Sequence, residues 1–377
     1  MISKSYHCAS ISDLKQVLAE ANSTNFKPSL GIVFCTIDFD LEQIRSSFIM
    51  HNIALVGCTT AGEIIDNALH EKSLALLLLD VDPAVFRIKL TEYEEQDMNK
   101  AALEIGDFVK DSFEHPGVLL MSGGLAIDAQ QLVQGISTSL SKPLPIYGGL
   151  AGDDLEMLRT FAFTHEKATE NGAASLVLDT TKVEMTGLAL SGWEPIGGVN
   201  VITKAEGNQV FEINGEPAYD VFVRYFGLTE AETKHDQLIG VQTNYPFQIL
   251  REGGKSILRS PLLIHKDSKS ISLAASVQEG DCFRFSTSPG FEVIEQTIEG
   301  FKALKKTTPE ADAIVLFSCK GRHGAFGPML NTEIQGLYDY WKKPLIGFLS
   351  YGEIANLGAE SIEFHNETCA AVILKEK

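Results

Sequence analysis

The sequence predicts an α/β protein of two lobes built from repeated strand–helix–strand units. The N-terminal lobe, residues 1–206, is expected to hold a mostly parallel sheet, and the C-terminal lobe, residues 207–377, a mixed or antiparallel one. Three observations predict this. A chain of 377 residues is too long for one ordinary core and fits two domains of roughly 100–200 residues each. One pattern of apolar runs and glycines recurs three times. Between its second and third occurrence lies a stretch of short strands of different character.

The first unit runs Gly31–Cys35 (GIVFC), a helical stretch DLEQIRSSFIM, Ala54–Ile64 (ALVGCTTAGEI) and Ser73–Asp80. The second runs Gly117–Gly124, helix DAQQLVQGISTSL, Leu144–Asp154 (LPIYGGLAGDD) and Ala174–Asp179. The third runs Ala313–Cys319, helix NTEIQGLYDYW, Pro344–Ile354 (PLIGFLSYGEI) and Cys369–Lys375. Continuous apolar runs mark strands buried on both faces. Strand–helix–strand order with short links implies right-handed parallel crossovers. The first and third units share an apolar-G-x-x-x-x-GEI frame, each followed by a histidine, His70 or His365, before the last strand.

Between the units, Trp193–Gly227 reads as two strands around a turn at Glu206-Gly207-Asn208, then a helix starting near Pro217. The segments YPFQIL, SILRSPLLIHKD, SISLAASV and CFRFSTSP add short strands, as expected of an antiparallel sheet. Phe291–Lys306 reads as an amphipathic helix leading into the third unit.

Composition narrows the function. A net charge of −19 with scattered basic residues excludes the basic patch that nucleic acid requires. No run approaches the about 20 apolar residues of a membrane helix, and the N-terminus has no apolar signal core, so a cytoplasmic protein without membrane insertion is expected. Six cysteines without a CxxC pair read as free thiols. The P-loop, GxGxxG, GxSxG and HExxH patterns are all missing, and no Cys/His spacing suits zinc. The expected protein is therefore not an enzyme, although a catalytic base at Glu63 or Glu353 is an alternative.

Ligands of α/β sheets bind where strand C-termini meet loops. The turn after Ala54 offers Gly57, Cys58, Thr59, Thr60, Gly62 and Glu63; its counterpart offers Tyr351, Gly352 and Glu353. Either carboxylate binds a ligand ammonium group or orients a donor, or it caps exposed backbone N–H groups at a helix start, which is a structural role. FSCKGRHGAFGP reads as a loop with Cys319, Arg322 and His323; Arg322 carries a fork suited to a carboxylate or phosphate.

ALVGCTTAGEI with YGGLAGDD resembles the N-terminal half of FIST proteins. FEINGEPAYDVF, YPF, VQEGD, LFSCKGR, IGFLSYGEI and FHNETCAAVIL resemble, in order, the C-terminal half. The resemblance covers nearly the whole chain and implies a bacterial sensor module that binds a small ligand such as an amino acid. Its partner would be a histidine kinase of a two-component system or a cyclic-dinucleotide signalling protein. The chain also resembles the NosP subgroup, so the expected function is that of a heme protein sensing nitric oxide and regulating a signalling partner, with a heme-free sensor of an amino acid or similar metabolite as the alternative. For heme iron the candidates are His323, then His365, with His115 and His165 behind them.

Overall fold

The computed structural model describes residues 1–22, 25–93, 97–123, 125, 127–140, 142–229, 245–251, 256–288, 290–357 and 361–377. Gly124 and Pro289, the last residues of two expected segments, lie outside the described residues. The apolar runs form strands covered on both faces. In Leu74–Asp80, Ala75, Leu77 and Leu79 face a central core shared with Phe34, Leu119, Leu176, Phe317 and Phe348. Leu74, Leu76 and Leu78 face Leu14, Leu18 and Phe48 on two outer helices.

The repeat read from the sequence is present, and each copy is longer than expected. The first comprises Ile2–Cys8, helix Ile11–Asn22, Leu30–Cys35, helix Leu41–Met50, Ala54–Thr59, a hairpin Glu63–Ile65/Ala68–His70, and Leu74–Asp80. The second comprises Phe86–Glu92, helix Met98–Ser112, Pro116–Ser122, helix Ala129–Ser139, Ile146–Leu150, a hairpin Ala162–Thr164/Ala168–Thr169, and Gly172–Asp179. The third starts with Val183–Leu190 and resumes, after an insertion, with helix Glu292–Thr307, Ala313–Cys319, helices Lys320–Phe326 and Leu330–Trp341, and Leu345–Ser350. It ends with a hairpin Glu353–Leu357/Ser361–His365 and Cys369–Glu376. Asp40 and Asp128 set two of the helix starts by accepting two backbone N–H groups each.

Each repeat sheet follows one order: opening strand, last strand, first crossover strand, second crossover strand, then a hairpin from a different repeat. The hairpins are exchanged in a ring. The first repeat's hairpin pairs with Leu345–Ser350 of the third, the third's with Ile146–Leu150 of the second, and the second's with Ala54–Thr59 of the first. Three sheets thus enclose the central core and carry their helices outside. Within each sheet only the two crossover strands are parallel. The expected predominance of parallel pairing is therefore corrected: the opening strand, the last strand and the exchanged hairpin are all antiparallel.

The insertion forms an eight-stranded antiparallel sheet around its own core of Ile202, Phe222, Phe247 and Phe285. Gly207, where the sequence divides the lobes, is the φ +57° turn of a hairpin inside that sheet. Helix Ala218–Phe226 starts after Pro217 as expected. FSCKGRHGAFGP differs from expectation: residues 320–326 form a helix, because burial of Arg322 and Phe326 overrides the weak helix propensity of its glycines. Among the described residues no helix is long and apolar enough to cross a membrane.

The recurring glycines now have a physical reason. A Cβ on Gly57, Gly148 or Gly347 would strike the carbonyl oxygen of Val33, Leu120 or Leu316, its partner on the adjacent parallel strand, at 2.1, 1.9 and 2.3 Å. Gly57→Ala is accordingly expected to lower stability by about 1–3 kcal/mol in a urea melt. Gly62 and Gly352, at φ +134° and +152°, turn the chain out of the sheet into the exchanged hairpin.

Candidate functional site

Hairpin exchange carries the strand-end turns of all three repeats to one junction. Ala61 N donates to Leu349 O at 3.1 Å, and Leu349 N to Gly62 O at 2.8 Å. Tyr351 N donates to Leu150 O at 3.1 Å, and Leu150 N to Gly352 O at 2.8 Å. Gly152 N donates to Thr59 O, and Thr59 N to Phe161 O, both at 2.9 Å. The Gly-rich turns singled out in the sequence therefore form a closed ring of backbone bonds.

Within it Glu63 and Glu353 occupy equivalent places, fully buried, opposite His70 and His365 on their hairpins. Thr60 donates to Glu63 Oε1 at 2.5 Å, as Ser350 donates to Glu353 Oε1 at 2.5 Å. The other oxygen accepts backbone N–H from Ser73 in one copy and Thr368 in the other, at 3.0 and 3.2 Å, where the last strand begins. The expected helix-start cap is therefore corrected: each carboxylate holds a backbone N–H group at the start of a strand, because the chain leaves the hairpin for the last strand of its repeat. Burial pushes the Glu63 carboxyl up to about 7 and that of Glu353 well above the carboxylate range. In the second repeat Ala162 stands in the equivalent place, opposite Thr169.

Arg322 lies in the interior rather than at an open loop. Nε and Nη2 bond to Glu333, with Nε at 3.3 Å from Oε2. Nη1 donates to Ser191 O at 2.6 Å and Glu367 O at 3.2 Å, and Nη2 also donates to Thr297 at 3.2 Å. All five donors are engaged, so its fork has none left for a ligand. Cys58 and Cys319 are buried thiols whose pKa burial pushes well up, which removes the thiolate that a reactive cysteine needs. Thr59 accepts from Phe161 N at 2.9 Å, and Tyr351 donates to Asp153 at 2.5 Å. Asp153 in turn accepts from the backbone N–H groups of Met157, Leu158 and Arg159, which shapes the turn of the second repeat.

The residue that sequence reasoning passed over is Lys320, at the end of the first crossover strand of the third repeat. Its Nζ donates to Ala61 O in the turn of the first repeat at 2.8 Å and stands 3.4 Å from His323 Nδ1. Asp154, in the turn of the second repeat, lies within its electrostatic range with Glu71 and Glu63. Among the described residues no carboxylate approaches within ion-pair distance of its ammonium group. Burial lowers its pKa from the usual lysine range, only partly offset by those carboxylates. One half-buried cation thus sits where elements of all three repeats meet, facing acids it does not bond.

The histidines are placed less suitably for iron. An ammonium group only donates, so His323 Nδ1 accepts and the ring's own proton falls on Nε2, the reverse of what a coordinating Nε2 requires. Burial, then Lys320, lowers the pKa of His323. His365 is buried inside its hairpin with Nε2 at 3.3 Å from Ala355 O, and burial, then Arg259, lowers its pKa to about 4. His115 is exposed and His165 lies beside Leu55 N at 3.5 Å. Among the described residues no group of three His, Cys, Asp or Glu side chains could hold a metal ion.

A second polar feature had no sequence signal. Arg259, in the insertion and fully buried, donates to Gln130 Oε1 at 2.6 Å and Phe364 O at 2.8 Å. Gln130 passes on to Glu363 at 3.0 Å, so the insertion docks on the second and third repeats through a polar seam. Separately, a groove of about 620 Å³ in the second repeat is lined by Glu92, Asp97, Lys100, Glu104 and Thr169 and contains no residue expected from the sequence.

Residues 29–216 match the family model described as the FIST N domain, and residues 218–356 match that of the FIST C domain. No curated protein matches the chain.

Proposed function

The chain belongs to the FIST family, whose domains are sensor domains that bind small ligands, and we propose that it is a non-catalytic cytoplasmic sensor of a small zwitterion such as an amino acid. The ligand sits at the junction around Lys320, and its occupancy is read by a signalling partner, a histidine kinase or a cyclic-dinucleotide protein. One observation carries this reading: the Lys320 ammonium group is half-buried at the meeting of three turns and, among the described residues, bonds a carbonyl and an imidazole but no carboxylate. Burying a charge without a direct counter-ion is costly, and a ligand carboxylate supplies that counter-ion. Asp154 and Glu71, in range of the same ammonium, offer a complement for the ligand's amine. The carboxylate-gripping role expected of Arg322 thus passes to Lys320. A bound ligand reports itself only through differential affinity for two states; turns from different repeats bonded into one ring are suited to that.

Thermal melts with the twenty amino acids test the proposal. At least one will raise the melting temperature of the wild type, stabilising it by about 2.7 kcal/mol at a hundredfold excess over Kd. The Lys320→Met protein will fold and lose the response. A panel without effect on the wild type removes this ligand class.

The heme-based, nitric oxide-sensing reading rests on the resemblance to NosP. It requires His323 to release its Lys320 contact and reverse its tautomer, so the heme-free reading is preferred. A Soret band in protein expressed with ample heme, lost in His323→Ala, would reverse that preference.

A further inference from the structure

We propose that Lys320 is also a nucleophilic amine that captures a small cationic aldehyde reversibly as an imine. This rests on the reading of the junction as the ligand site and adds a covalent mode to it. Other lysines differ in geometry: Lys89, Lys110, Lys167, Lys269, Lys302 and Lys375 each meet a carboxylate at 3.1 Å or less. Lys320 instead touches a carbonyl, which holds the amine in place, and an imidazole nitrogen at 3.4 Å, which can take its proton. Burial lowers the pKa of Lys320, which eases loss of its proton, and that of His323, which makes its ring a weaker base but keeps it neutral and open to accept one. Glu71 and Asp154, in range but unbonded to the amine, select a positively charged aldehyde over an anionic oxo acid.

The step balances without any redox partner. The ammonium proton passes from Nζ to His323 Nδ1. The amine lone pair forms the C–N bond at the carbonyl carbon while the carbonyl π pair moves to oxygen, which takes a proton from nitrogen to give a carbinolamine. The imidazolium returns its proton to that hydroxyl, water leaves, and a protonated C=N bond remains. One water is released per adduct, and its return hydrolyses the imine, so binding is reversible.

Betaine aldehyde, glycolaldehyde and glyoxylate are the probes, each incubated with the full chain and cyanoborohydride at neutral pH, with adducts located by peptide mass spectrometry. Lys320 is expected to be trapped by betaine aldehyde at least about tenfold faster than the exposed Lys142 and Lys266. Rates should fall in the order betaine aldehyde, glycolaldehyde, glyoxylate. His323→Gln should slow trapping at neutral pH several-fold and lose that effect near about pH 10, where the amine no longer needs a proton acceptor. Trapping of Lys320 no faster than Lys142, or fastest with glyoxylate, overturns the proposal. If amino acids stabilise the protein through Lys320 while no aldehyde is trapped there, the imine fails and the non-covalent reading stands. If trapping occurs and no amino acid stabilises, the ligand class of the sensor fails and the imine stands.

Discussion

Glu333→Ala will lower the unfolding free energy by about 3–5 kcal/mol, because it strands the fully buried guanidinium of Arg322 without its carboxylate. Arg322 also bonds Ser191, Thr297 and Glu367 and packs 5.5 Å from the rings of Trp193 and Phe326. It ties the third repeat's three helices to the chain leaving Val183–Leu190. Removing both charges as Arg322→Met with Glu333→Leu will recover much of the loss, since well-packed apolar side chains often replace a buried pair without penalty. Urea unfolding of the single and double variants measures both. Ligand-induced stabilisation should persist in the double variant. Its loss there, with stability restored, would return the binding role to Arg322.

The second large effect is a stability that falls as pH rises. Burial raises the Glu63 carboxyl from 4.5 to about 7 in the folded chain. Between those values the folded state holds a proton that the unfolded state has released. Stability is therefore highest below about pH 4.5, declines toward pH 7, and levels off above it as far as this group is concerned. The decline is on the order of 3 kcal/mol. Glu367, raised to about 7 mainly by burial, adds a decline of the same sign. Glu63→Gln keeps the shape and the contacts to Thr60 and Ser73 and should flatten its part of the slope in denaturant melts from pH 4.5 to 8. Identical slopes in variant and wild type would show that Glu63 is ionised in the folded protein.

The core strands and the repeat were legible because each crossover strand is apolar on both faces and because Gly57 and Gly347, Gly62 and Gly352, Glu63 and Glu353 recur in one frame. The opening strands were not. Ile2–Cys8 and Val183–Leu190 are partly exposed, and the latter is separated from its repeat by the whole insertion. The hairpin exchange was hidden because three-residue strands such as Glu63–Ile65 have no pattern of their own and gain an identity only from the strand they join. Residues 151–161 precede the second hairpin and masked its kinship with the others. At the site, the turns were legible as strand ends, yet the grip of each side chain was not. Arg322 reads as available in sequence and is engaged at every donor. Lys320 reads as ordinary, and its significance lies in having no ion pair among the described residues, which only the folded chain reveals.

Amide hydrogen exchange with and without the most stabilising amino acid tests the central claim most directly. If the ligand sits among the three turns, residues 59–63, 150–154 and 320–323 will gain protection together, and Lys320→Met will abolish the gain in all three. Protection confined to the groove around Glu92, Lys100 and Thr169, with those turns unchanged, would place the ligand elsewhere and contradict the account.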